Sequence, residues 1–207
     1  MSVRLPADGT VLFIGDSITD VGRDRDNPAD LGKGYPLLVA QQLAESRPDV
    51  RVLNRGNGGN RSCDLRERWD ADCIDLKPDV ISVLVGINDT ARCFRVDDPP
   101  TVADYEDDYR DILSRARAAN ADVQLVLLDP FLLASLPERL EWRGELEARI
   151  AVVHALAEEF GATLMRTDEI FAQAAGSDPK AWAEDGVHPT PPGHQLLADE
   201  WLKLVAG

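Results

Sequence analysis

Five short apolar runs rich in Val, Ile and Leu alternate along the chain with longer stretches whose apolar residues recur at helical spacing. The runs are Val11–Ile14, Arg51–Asn54, Val80–Val85, Val123–Leu128 and Thr163–Met165. A strand with one wet face alternates apolar and polar residues, whereas a strand covered on both faces reads as a continuous apolar stretch. Continuous runs separated by helices therefore predict βαβ units and a parallel sheet between two helical layers. The intervening stripes fit: Tyr35, Leu38, Val39 and Leu43, then Leu65, Trp69, Cys73 and Leu76. Further on come Val102, Tyr105, Tyr109, Ile112 and Ala116, then Leu146, Ile150, Val153 and Ala157. A last helix is expected after Pro191-Pro192, with Leu196, Leu197, Trp201 and Leu204 on its apolar side. Thr101 with Asp104 resembles a weak capping box, and Gly161 stands where a helix stop is expected.

No internal repeat and no Gly/Ser linker divides the 207 residues, so one three-layer α/β/α domain spanning residues 1–207 is expected. Acids outnumber bases 37 to 22, a formal charge of -15, and such a surface repels phosphate backbones and anionic headgroups. Nucleic acid and membrane surfaces are therefore not expected partners. No apolar segment approaches the roughly 18 residues of a spanning helix. The first ten residues, MSVRLPADGT, lack the apolar core of an export signal, which predicts a cytoplasmic protein. Cys63, Cys73 and Cys93 are odd in number, form no C-x-x-C pair and have no His beside them, so reduced thiols are expected rather than disulfides or zinc. The acidic segment Asp24–Asp30 lacks the ligand spacing of a calcium loop and reads as solvated. No metal or cofactor is expected. The sequence leaves a monomer and a homo-oligomer equally open.

In open parallel sheets, ligands bind beyond the carboxyl ends of the strands, and polar motifs fall there. After the first run comes Gly15-Asp16-Ser17-Ile18-Thr19-Asp20. A serine at a strand-to-helix turn exposes its hydroxyl beside free backbone N–H groups, which suits a nucleophile; the plainer role for Asp16 or Ser17 is a helix cap. After the second run, Arg55-Gly56-Asn57-Gly58-Gly59-Asn60 lets backbone amides approach a ligand closely, though a simple turn would look the same. After the third, Gly86-Ile87-Asn88-Asp89 offers a side-chain amide to a developing oxyanion, or an Asx turn. Near the end, Asp185-Gly186-Val187-His188 sets a carboxylate three residues from a histidine. A base that activates serine needs a carboxylate on its second ring nitrogen. His154, among Val153 and Ala155, reads as packed or surface-facing and His194 as a helix-face residue, neither with an acid at suggestive spacing.

Together these four motifs resemble the four blocks of the SGNH, or GDSL, hydrolases, from about residue 11 to 195. The resemblance implies a flavodoxin-like three-layer fold with a five-stranded parallel sheet in the order 2-1-3-4-5. It implies Ser17 as nucleophile, His188 as general base and Asp185 as its orienting carboxylate. The oxyanion hole would combine the backbone N–H of Ser17, that of Gly59 and the side-chain amide of Asn88. Three glycines leave the second block's register open: Gly59 fits a Gly-x-x-Gly pattern from Gly56, with Gly58 as the alternative. The longer strings Gly-Asp-Ser-Ile-Thr-Asp-Val-Gly-Arg and Gly-Ile-Asn-Asp resemble the branch containing intracellular xylan acetylesterases.

That branch implies hydrolysis of O-acetyl esters on short sugars such as acetylated xylo-oligosaccharides. Trp69, Trp142 and Trp182 offer flat faces for a pyranose ring, although Trp69 sits on an apolar stripe. Trp182, just before the Asp185–His188 loop, and Asp16 are the candidate substrate-binding residues. Two alternatives stand beside this reading: a general short-chain esterase or lysophospholipase-like hydrolase, and a non-catalytic carbohydrate-binding relative. The net charge favours a neutral ester over a phosphorylated one.

Overall fold

The computed structural model describes residues 3–205. In it the five apolar runs become β1 (Thr10–Gly15), β2 (Arg51–Gly56), β3 (Val80–Leu84), β4 (Gln124–Leu128) and β5 (Thr163–Met165). All pair in parallel, in the order β2-β1-β3-β4-β5. This is the expected three-layer arrangement, and the sequence logic behind it shows residue by residue. Val11 and Phe13 of β1, Val80 and Leu84 of β3, and Val126 and Leu128 of β4 enter one core cluster. Leu12 and Ile14, Ile81 and Val83, and Leu125 and Leu127 enter the other. Successive strand residues point to opposite faces, so a strand buried on both sides must be apolar throughout. Ser82 is the polar exception on the first face, and its Oγ accepts the Trp201 indole N–H at 3.1 Å.

The helices are α1 (Ser17–Asp20), α2 (Tyr35–Ser46), α3 (Ser62–Asp72) and α4 (Ile87–Arg92), followed by α5 (Val102–Ala119), α6 (Arg143–Glu159), α7 (Thr167–Ala175) and α8 (Pro191–Val205). Tyr35, Val39 and Leu43 of α2 share a core with Leu197, Ala198 and Trp201 of α8. Leu65 and Trp69 of α3, Tyr109 and Ile112 of α5, and Val153 and Leu156 of α6 cover the opposite face. Thr101 and Asp104 close a reciprocal capping box at α5, and Gly161, at φ +60°, follows the end of α6. No described helix is long and apolar enough to cross a membrane.

Two boundaries differ from expectation. The stripe Leu65–Leu76 is not one helix: α3 stops at Asp72, and a separate 3-10 turn covers Ile74–Leu76. Pro78 disfavours helical backbone at the preceding residue, and Lys77 adopts φ +50° instead. The last helix starts at Pro191 itself, because first-turn residues donate no intrahelical hydrogen bond and proline loses nothing there.

Candidate active site

The turn from β1 into α1 is fixed by Asp16, whose Oδ1 accepts the Ile18 N–H at 2.9 Å. Asp16 is almost wholly buried, and that burial pushes its carboxyl up to about 7, opposed by the Ile18 hydrogen bond and the nearby His188. It serves as a helix cap beneath the site. Of the two roles weighed for Ser17, the cap thus falls to its neighbour, and the Ser17 hydroxyl turns outward.

Ser17 Oγ lies 2.9 Å from His188 Nε2, and His188 Nδ1 lies 2.8 Å from Asp185 Oδ2. The loop carrying this pair is held by its own acid, since Asp185 Oδ1 accepts the Val187 and His188 amides at 2.9 and 2.8 Å. Arg139 adds a clamp, donating to the Asp185 carbonyl at 2.7 Å and lying 3.0 Å from Oδ2. The Arg139 guanidinium itself rests 5.2 Å from the Trp142 ring centroid. Partial burial works to raise the Asp185 carboxyl, but the His188 and Val187 hydrogen bonds and the His188 charge outweigh it and hold the group well below the usual carboxylate range. Asp185 therefore stays ionised behind the imidazole. A cleft of about 280 Å³ opens beside the pair, lined by Ser17, Ile18, Val21, His188, Pro189 and His194, among others.

The second and third strand ends meet on the other side of Ser17. Gly56 carries no side chain because a Cβ there would lie 2.3 Å from the Asp20 nitrogen, so its bareness lets β2 pack against the α1 turn. Asp20 then separates the two glycine candidates. Its Oδ2 accepts the Gly58 N–H at 3.0 Å and pairs with Arg25, so the Gly58 donor is already engaged. Gly59, at φ +83°, makes no backbone N–H hydrogen bond among the described residues. Asn88 donates from Nδ2 to the Asn60 carbonyl at 3.0 Å, which orients the amide and leaves its second hydrogen free. Gly59 and Asn88 line one small cavity together.

Several supporting residues escaped the sequence reading. Asp20 lies in the same block as Ser17, one helical turn on, and could have been flagged by that spacing. Asp89 is buried beside Asn88, and its carboxylate accepts the Ser62 N–H at 3.1 Å and hydroxyl at 2.8 Å, tying α4 to the start of α3. Arg68 reaches back from α3 to the Asn60 side chain at 2.7 Å and to the Arg55 and Gly15 carbonyls at 2.8 and 3.1 Å. No local pattern announces such reach.

The remaining histidines depart from expectation. His154 does have an acid partner: its Nε2 lies 2.7 Å from Oδ2 of Asp129, a carboxylate almost wholly buried at the end of β4. His194 is buried, stacked on Tyr35, and its Nδ1 accepts the Tyr35 N–H at 3.3 Å. Burial pushes His194 down to about 4, with His188 adding to the effect, so it brings no second positive charge to the cleft near neutral pH. Trp69 is core. Trp142 is buried against Phe94, Arg95 and Arg139. Trp182 packs half-buried against the core and does not line the Ser17 cleft. A roomier cavity of about 420 Å³ borders the segments that lead into β3 and β4, remote from Ser17. Its one thiol, Cys73, is pushed up to about 12 by burial and is no nucleophile. Among the described residues no cluster of His, Cys, Asp or Glu could hold a metal ion.

A parallel sheet in this order, with serine, histidine and carboxylate in sequence contact beyond its strand ends, defines an acylhydrolase architecture. The chain belongs to the GDSL-like Lipase/Acylhydrolase family, whose model matches residues 13–196, and it is a carboxylic ester hydrolase. It is similar to an acetylxylan esterase from Geobacillus stearothermophilus, 34% identical over 94% of this chain and 93% of that protein. It also resembles esterase TesA of Pseudomonas aeruginosa, 26% identical over 94% of this chain and 87% of the relative. The crystal structure of Axe2, an acetylxylan esterase from Geobacillus stearothermophilus, superposes with a TM-score of 0.88 at 32% identity, covering 100% of this chain and 97% of that one. Catalytic mutants of Axe2 replace a serine or a histidine by alanine.

Proposed function

We propose that the chain is a serine esterase that removes O-acetyl groups from short sugars such as acetylated xylo-oligosaccharides, acting in the cytoplasm through Ser17, His188 and Asp185. The observation that carries the mechanism is the continuous relay from Ser17 Oγ through both ring nitrogens of His188 to Asp185, at 2.9 and 2.8 Å. Ser17 attacks the ester carbonyl while His188 Nε2 takes its proton and passes it to the departing alkoxide. Water then attacks the acyl-enzyme, assisted by the same base, and frees acetate and Ser17. Asp185, held ionised, fixes the His188 tautomer and balances the imidazolium. The Ser17 and Gly59 N–H groups and the Asn88 amide hold the developing oxyanion, each donor contributing about 3–4 kcal/mol. The engaged Gly58 N–H supports Gly59 as the donor from that loop.

The sugar preference draws on the acetylxylan esterase relative and on the cleft beside His188, which leaves space for a leaving alcohol. Turnover of acetylated xylobiose, 4-nitrophenyl acetate and 4-nitrophenyl butyrate tests both parts. Ser17→Ala and His188→Ala are expected to lose at least about 1,000-fold in kcat. Near-wild-type rates in either folded variant would refute the triad. Equal preference for all three esters would reduce the protein to a general short-chain esterase. Fluorophosphonate labelling of Ser17 is expected, and its absence would point to a binding protein.

A further inference from the structure

We infer that the cavity next to Gly59 and Asn88 is a subsite for a carboxylate carried on the acyl part of the ester, held by Arg61, Arg92 and Arg95; this rests on the serine-esterase reading above. The cavity measures about 190 Å³ and is lined by those three arginines with Gly59 and Asn88. In a chain with 37 acids against 22 bases, a small cavity lined by three arginines and no acidic residue departs from the overall charge.

Two of these three cations are not neutralised by an ion pair. Arg66, Arg68, Arg110, Arg115 and Arg143 all sit in ion pairs with aspartate or glutamate. Arg61 is partly engaged by Asp64 at 3.4 Å, while Arg92 and Arg95, like Arg51 and Arg55, have no ion-pair partner among the described residues. Asp97 and Asp98 follow in the same segment and pair with neither. The Arg95 guanidinium lies 5.7 Å from the Trp142 ring centroid, a contact that restrains it without consuming its charge.

The reaction geometry assigns the cavity to the acyl group. The leaving oxygen must face His188 to receive its proton, which directs the alcohol into the cleft of Val21, Pro189 and His194. Gly59 and Asn88 border both the oxyanion position and this cavity, and with the alcohol turned toward His188 the acyl substituent is the remaining group on the reacting carbon that can reach it. Guanidinium forks match carboxylates in two-point geometry, which selects a half-ester of a short dicarboxylic acid. An acetyl group places no charge there.

The test compares kcat/KM for 4-nitrophenyl hydrogen glutarate with that for 4-nitrophenyl valerate, esters of equal chain length that differ by one carboxylate. Arg92→Gln and Arg95→Gln are each expected to lower the anionic-to-neutral ratio about fivefold, and the double variant further. Added salt should lower the wild-type ratio as well. Arg51→Gln, at the amino end of β2, removes the same charge far from the cavity and should leave the ratio in place. An unchanged ratio in the double variant would overturn the subsite while Ser17-dependent turnover of 4-nitrophenyl acetate left the esterase reading intact. Acetate turnover that survived Ser17→Ala would instead overturn the esterase reading, and the subsite with it.

Discussion

Asn88→Ala separates catalytic from structural roles within one side chain. In the folded protein its Nδ2 donates to the Asn60 carbonyl at 3.0 Å in a half-buried setting. Losing that bond costs about 1 kcal/mol, which for a chain of this size lowers Tm by roughly 2–4 °C. The protein therefore stays folded at assay temperature. In the proposed mechanism the second amide hydrogen serves the developing oxyanion, and its loss should have a much larger effect: removing one such donor lowers kcat by about 100- to 1,000-fold, or roughly 3–4 kcal/mol. Because that charge exists only in the transition state, KM should change little while kcat and kcat/KM fall together. The assay is steady-state hydrolysis of 4-nitrophenyl acetate beside a calorimetric melt. A fall in kcat below about threefold, or a loss confined to KM, would show that Asn88 does not stabilise the oxyanion.

Two further outcomes follow from the same turn. The Asp16 carboxyl sits near 7 when folded, against 3.8 as its ordinary value, so its neutral form favours the fold: the Asp16 contribution to stability is full below about pH 4 and is lost as pH rises through 7. Asp16→Asn keeps an acceptor for the Ile18 N–H and should flatten that decline in urea unfolding between pH 4 and 8; an unchanged slope would assign it to other groups. Gly56→Ala and Gly59→Ala should lose stability for different reasons and differ in their effect on kcat. A Cβ at Gly56 meets the Asp20 nitrogen at 2.3 Å, and the overpacking should cost about 1–3 kcal/mol of stability. A Cβ at Gly59 meets nothing within 4 Å, but φ +83° costs alanine about 1–3 kcal/mol, so Gly59→Ala should lose stability to a similar extent and in addition lose kcat as the N–H turns away.

The strands were legible because burial on both faces leaves no room for polar residues, and Val11–Ile14 or Val80–Leu84 can scarcely be read otherwise. The blocks around Ser17 and Asn88 were legible for a related reason, each interrupting an apolar pattern where a strand ends, whereas the Asp185–His188 block stood out by the spacing of its acid and histidine. The register within Gly56–Gly59 was not legible, because the residue that separates Gly58 from Gly59 is Asp20, on another element. The acid partner of His154 was hidden on the same ground. Its partner Asp129 lies 25 positions away and reaches it only once α6 packs against the end of β4. The arginine cavity was hidden twice over, since Arg61 and the Arg92–Arg95 pair lie on separate segments and the net charge of -15 points the other way.

The contact between Ser17 and His188 joins residues 171 positions apart. During synthesis at about 5–20 residues per second, the serine leaves the peptidyl-transferase centre roughly 9–34 seconds before its base is even made. The His188 loop runs between α7 and α8, and α8 seats through Leu197, Ala198 and Trp201 in the same core as Tyr35 and Val39 of α2. Until that loop exists, the Ser17 hydroxyl has no His188 beside it. Under the proposed mechanism ester hydrolysis awaits the seating of this loop and the last helix, so the appearance of activity would time the completion of folding.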